Sequence, residues 1–280
     1  MTRETVWNGF TQAQLDAAYN NAAAVADSAA RVADWTARSA AFRQAHDREL
    51  NIAYGVGARQ RFDVFRCGVK SAPMLAFIHG GWWQRNSKDV FSCMAAGPMV
   101  RGFDVALIGY TLAPFASLGE IAGEIRAALD RLAVYQRDCG AISQVLVSGW
   151  SAGGHLTALT LDHPAVLAGL AISGVFDLEP IRHCYINDKL GLDAPMAAAL
   201  SPARIRPCGK PLALAFGLAE LPELQRQTAD YGAWCAEAGR PAFGYPLDGH
   251  DHFSILDEFA SPGGALVHMI AALERLAAKV

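Results

Sequence analysis

The 280-residue sequence predicts an α/β chain: a mostly parallel, doubly wound sheet with helices on both faces. Three observations carry that prediction. From about residue 60 onward, short apolar runs alternate with segments of helical length. One run, Met74-Leu75-Ala76-Phe77-Ile78, is apolar throughout, as a strand buried on both faces requires. Finally, Gly149-Trp150-Ser151-Ala152-Gly153 sets a serine among small residues where a strand-length run, 144–148, gives way to a helical one, 154–159.

The elements follow in order. Residues 11–50 are Ala-rich, with Leu15, Ala18, Tyr19, Val25, Val32, Trp35 and Phe42 spaced to allow helices, so residues 1–55 read as an N-terminal helical arm. Strands are expected at 62–65, 74–78 and 105–108, then a helix over 121–135 and a strand at 145–147 leading into Ser151. A strand at 169–172 is followed by 177–208, a Pro- and Asp-containing stretch that breaks the rhythm and reads as a small cap or lid insertion. A strand at 212–216, a helix over 223–238, a strand at 242–245 and a helix over 265–278 complete the chain. With 52% hydrophobic residues, 1–280 is long enough to bury one large core and reads as a single domain.

Composition narrows the function. A net charge of −3 gives no footprint for nucleic acid. Arg3, Glu4 and Trp7 open the chain without an apolar leader, and the apolar region 156–175 is broken by Asp162, His163 and Pro164, so no membrane partner is expected. Cys67, Cys93, Cys139, Cys184, Cys208 and Cys235 are scattered without a C-x-x-C pair and read as reduced thiols of a cytoplasmic protein. A homodimer is compatible with these features, none of which encodes oligomeric state.

The chemistry starts at Ser151. A serine at a sharp strand-to-helix turn is presented to solvent, and the following helix aims its first amides at the reacting centre. It needs a base, and for the chain order serine, acid, histidine that base lies near the C-terminus: His250 or His252. An H-x-H pair also suits a metal, but no third ligand of suitable spacing accompanies it, so no metal is expected. The orienting acid belongs in the turn after strand 212–216, where Glu220 stands; Glu223 and Asp177 compete, and Asp251 is adjacent to His252, where side chains diverge. His79-Gly80-Gly81-Trp82-Trp83 leaves the central strand as a loop whose amides can face the site. Gly81, Trp82 and Ala152 are the expected oxyanion donors. His79 reads as a loop tie, while Trp82 and Trp83 either line an aromatic pocket or pack beneath the loop.

These motifs together resemble the hormone-sensitive-lipase-like branch of the α/β-hydrolases, and within it kynurenine formamidase (arylformamidase) and related bacterial esterases. Tyr19-Asn20-Asn21, the stretch 173–180 with Tyr185-Ile186-Asn187, the turn 220–227 and Asp251-His252-Phe253 extend the likeness in consistent order. The resemblance implies an α/β-hydrolase fold, favours His252 as the base, and implies a serine hydrolase acting on a small aromatic amide or ester, N-formylkynurenine above others, without a cofactor. The leaving-group side is then expected to draw on Trp83, Tyr185, Asn187 and Tyr19. There are departures: Glu220 stands where the animal enzymes carry Asp, and Leu221 and Leu224 replace a small polar residue and an aromatic. A carboxylesterase of small acyl esters uses the same machinery. A non-catalytic small-molecule receptor on the same fold is the alternative of another class, which loss of the nucleophile or base would mark; both are present.

Overall fold

The computed structural model describes residues 4–141, 144–240 and 242–278. The arm contributes α1 (Gln12–Ala18), α2 (Asn21–Ala24) and α3 (Ser28–Ala45), which lead into β1 (Arg48–Ala53) and β2 (Arg61–Phe65). Then come β3 (Met74–Ile78), a 3₁₀ segment (Lys88–Ala95), α4 (Ala96–Val100), β4 (Asp104–Ile108), α5 (Leu118–Asp138), β5 (Val145–Trp150), α6 (Ala152–Leu159) and β6 (Val166–Ile172). Three short helices, α7 (Glu179–Arg182), α8 (Asn187–Leu190) and α9 (Ala194–Leu200), occupy most of the stretch expected as an insertion. The chain closes with β7 (Leu212–Gly217), α10 (Pro222–Glu237), β8 (Phe243–Leu247), α11 (Asp257–Ala260) and α12 (Ala265–Ala277).

The eight strands form one sheet in the order β1-β2-β4-β3-β5-β6-β7-β8. The β1–β2 and β2–β4 pairs are antiparallel, and every pair from β4–β3 to β7–β8 is parallel. The central strand shows why its sequence lacks alternation. Met74, Ala76 and Ile78 enter one hydrophobic core while Leu75 and Phe77 enter the other, so both faces are covered. Helix α5 covers one face with Leu118, Ile121, Ile125, Leu129 and Leu132, and a capping box between Ser117 and Glu120 fixes its start.

Strand β1 departs from the sequence expectation, which had placed residues 1–55 in a helical arm. Its residues are almost all exposed, it lies at the sheet edge, and its register slips between Glu49 and Ile52. A polar edge strand has no buried face to impose an apolar alternation. Within the slip Asn51 takes φ 58°, and its N–H donates to Asp63 Oδ1 at 2.7 Å.

Candidate active site

Ser151 stands between β5 and α6 with φ 58° and ψ −118°, a conformation L-residues avoid unless their surroundings impose it. The imposition is steric. A Cβ on Gly153 would lie 2.0 Å from the carbonyl oxygen of Ile78, so only glycine lets α6 start this close to β3. Ser151 is held from both sides: its N–H donates to Ile172 O at 2.8 Å, and its carbonyl accepts from His155 N at 3.1 Å.

His252 lies in the loop after β8 and is 3% exposed. Its Nδ1 meets Glu220 Oε2 at 2.9 Å. The loop is tied to the elbow itself, because Trp150 Nε1 donates to His252 O at 2.7 Å and the two rings lie 5.0 Å apart. It is also zipped to the turn carrying Glu220: Leu218 N donates to Leu247 O at 2.9 Å and Ala219 N to His250 O at 3.0 Å. A Cβ on Gly217 would sit 2.0 Å from His250 O, so this approach too depends on glycine.

Glu220 is 5% exposed and fully engaged. Its Oε1 accepts from Ser173 Oγ at 2.6 Å and from Gly217 N at 2.7 Å, leaving Oε2 for His252. Ser173 opens the stretch 173–180 that carries the family likeness, but nothing in the sequence assigns it a role beside the acid; it directly follows β6 and takes φ 51°. The competing acids are occupied elsewhere. Glu223 accepts from Tyr19 and Arg226, Asp177 lies 3.4 Å from Arg204, and Asp251 accepts the amides of Phe253 and Ser254. His250 turns from His252 toward Glu258, 3.6 Å away.

A cavity of about 340 Å³ joins these parts. Ser151 and His252 share its wall with Gly81 and Trp82. Among the described residues no hydrogen bond joins the Ser151 hydroxyl to His252; such catalytic contacts often form only once substrate is bound. The backbone N–H groups of Gly81, Trp82 and Ala152 donate to no protein acceptor among the described residues. Gly81 at φ 121° and Trp82 at φ 54° form the turn that frees the first two, and Ala152 opens α6. Donors left unspent beside a nucleophile can stabilise an oxyanion.

Beneath this loop His79 is wholly buried, its ring stacked on Tyr110 at 4.3 Å and its Nδ1 against Gly80 O at 2.9 Å. Burial lowers its pKa to about 4, and that of His155, buried beneath Trp83, to about 4 as well.

The four residues expected on the leaving-group side lie away from this wall. Trp83 is fully buried under the loop, edge-on to His155 at 5.0 Å. Tyr19 is also fully buried, its hydroxyl donating to Glu223 at 3.1 Å and accepting from Gln227 at 2.9 Å, which pins the arm to α10. Asn187 spends its side chain on Arg182 O and both backbone groups of Leu192. Tyr185 sits beside the arm, its N–H donating to Asp16. Packing of the arm and the inserted helices uses Trp83, Tyr19 and Asn187 internally, while Tyr185 stays partly exposed. The cavity wall is supplied instead by Asn21, Ser28 and Val32 of the arm, by Arg85 and Asn86, and by Phe253. Among the described residues, a larger cavity of about 490 Å³ between α5 and α10 is lined by neither serine nor histidine.

The family model BD-FAE matches residues 65–163, the span from β2 through the elbow. Kynurenine formamidase of Danio rerio is 26% identical over 79% of this chain and 80% of its own length. That of Salmo salar is 28% identical over 75% and 76%. Among solved structures, a proposed thioesterase from a Silicibacter species superposes with a TM-score of 0.83 at 29% identity, covering 92% of this chain and 99% of that one. A Pyrobaculum calidifontis esterase shares the fold, with a TM-score of 0.73 at 18% identity over 91% and 95%. This chain has the α/β-hydrolase fold. The formamidase and esterase relatives make it a hydrolase of the esterase and amidase type. Among the described residues of the hydrolase, no three His, Cys, Asp or Glu side chains converge as a metal site, and no helix is long and apolar enough to cross a membrane. All six cysteines are free thiols.

Proposed function

We propose that this hydrolase cleaves small aromatic amides or esters through an acyl-enzyme on Ser151, with N-formylkynurenine as its substrate and the whole chain acting as one catalytic domain. Ser151 Oγ attacks the formyl carbon as His252 takes its proton. The oxyanion is held by the amides of Gly81, Trp82 and Ala152. His252 then protonates the aryl nitrogen, which leaves as the free amine, and the formyl group stays on Ser151. Water, giving its proton to His252, attacks the ester; formate departs and the proton returns to Ser151. Glu220 keeps the His252 proton on Nδ1 and stabilises the imidazolium. No cofactor enters.

The observation that carries this reading is the run from Ser173 and Gly217 through Glu220 to His252, which shares a cavity wall with Ser151, Gly81 and Trp82, the last two with unspent amides. The formamidase names of the sequence relatives support the substrate. The esterases of the same fold favour a second reading, a carboxylesterase of small acyl esters. Free thiols suit a cytoplasmic setting. Side-by-side kcat/KM values for N-formylkynurenine, N-formylanthranilate and p-nitrophenyl acetate test the substrate. The esterase reading wins if only the last is turned over. Fluorophosphonate labelling of Ser151 tests the nucleophile, and an unlabelled native protein would mark a receptor.

A further inference from the structure

Asn21, the first residue of α2, is 3% exposed, and among the described residues neither its Nδ2 nor its Oδ1 has a hydrogen-bond partner. It lies in the wall of the cavity that holds Ser151 and His252. A buried carboxamide with both ends unpaired destabilises the fold and calls for an explanation outside it. Its neighbours have structural duties. Asn20 caps α2 by accepting from Ala23 N at 3.2 Å, Ser28 Oγ donates to Ala22 O at 2.8 Å, and Tyr19 is anchored to α10. Asn21 has none among the described residues, and it belongs to the wall of a space that a ligand can enter.

We propose that Asn21 is the specificity residue for the leaving group, pairing with an α-ammonium carboxylate end such as that of an amino acid carried on the aryl ring; this rests on the reading of Ser151 as nucleophile in the same cavity. A carboxamide offers an acceptor and a donor side by side. Oδ1 accepts from the ammonium and Nδ2 donates to the carboxylate. Arg85 lines the same cavity, is exposed, and makes no ion pair among the described residues, so it adds a second donor and a positive charge for the carboxylate. Among the described residues no Asp or Glu lines this cavity to compete.

The test uses ester hydrolysis as the reporter, so it does not depend on formamide turnover. L-Kynurenine and 2-aminoacetophenone, which lacks the amino-acid end, are compared as competitive inhibitors of p-nitrophenyl acetate hydrolysis by native protein, Asn21→Leu and Asn21→Asp. The inhibition constant of kynurenine should rise about 10- to 100-fold in Asn21→Leu, as expected for hydrogen bonds to charged groups, and that of aminoacetophenone by less than about threefold. Asn21→Asp, which keeps the acceptor but repels carboxylate, should also weaken kynurenine and serves if the leucine variant does not fold. The melting temperature of Asn21→Leu should hold or rise, because two unpaired polar atoms are removed. An unchanged kynurenine constant, a parallel loss for both inhibitors, or no inhibition of the native protein by kynurenine overturns the proposal. Failure of the formamidase reading shows separately, as native protein that hydrolyses the ester but not N-formylkynurenine.

Discussion

Replacing Glu220 by Gln tests the acid through a feature of its surroundings. Glu220 Oε1 accepts two hydrogen bonds, from Ser173 Oγ and from Gly217 N. Ser173 can rotate its hydroxyl and accept instead, but the Gly217 amide can only donate. In the variant the single amide oxygen is therefore held at Gly217, and the –NH2 group is turned toward His252 Nδ1. Nδ1 must then accept, which moves the imidazole proton to Nε2, the nitrogen that has to take the serine proton. Flipping the amide restores the tautomer but leaves the buried Gly217 N–H facing another donor, a cost of about 1–3 kcal/mol, or roughly 5- to 150-fold in population. Loss of the negative charge that stabilises the imidazolium adds to this. Together kcat should fall by up to about 10⁴-fold, near 5 kcal/mol of barrier, with side-chain volume nearly unchanged. Glu220→Asp keeps the charge but is one methylene short of spanning Gly217 and His252, so its loss should be smaller. The assay is kcat on p-nitrophenyl acetate for both variants beside Glu223→Gln and Asp177→Asn, with melting temperatures confirming the fold. A folded Glu220→Gln within tenfold of the native rate would refute the reasoning, and a crippled Glu223→Gln would move the acid.

Three further outcomes are expected. Ser151→Ala should lose roughly 10⁴-fold or more in kcat, His252→Ala nearly as much, the double variant little beyond either, and His250→Ala far less; an additive double variant would separate the two residues. Gly153→Ala places a Cβ 2.0 Å from the Ile78 carbonyl oxygen, a backbone atom that cannot swing aside, so urea melts should show several kcal/mol of lost stability; a native-like midpoint would refute the close-approach argument. His79 and His155 are held neutral by burial at about 4, below the ordinary 6.5, so the unfolded chain binds protons that the folded one refuses. Stability from each is complete above about pH 6.5 and is lost as pH falls toward 4, by about 3 kcal/mol per histidine at most. A melting temperature that stays flat from pH 7 to about pH 4.5 would contradict this.

What the sequence determined by itself is whatever a few adjacent residues dictate. The strand–helix alternation is legible because a strand covered on both faces must be apolar at every position, as 74–78 is. The elbow and the loop after β3 are legible because close backbone approaches need glycine within the motif itself, as at Gly153. Helix α5 shows its buried stripe and its cap in its own residues. The tertiary structure alone decided which distant side chains meet. Glu220 and Glu223 lie three residues apart, yet one reaches His252 and the other Tyr19 and Arg226, because a turn and the helix after it aim them differently. Ser173 joins Glu220 only because β6 and β7 end side by side. In the arm, Tyr19 is consumed by packing while Asn21, two residues on, stands in the cavity wall. Backbone chemistry is local, but the destination of a side chain depends on segments far away in sequence that fold against it.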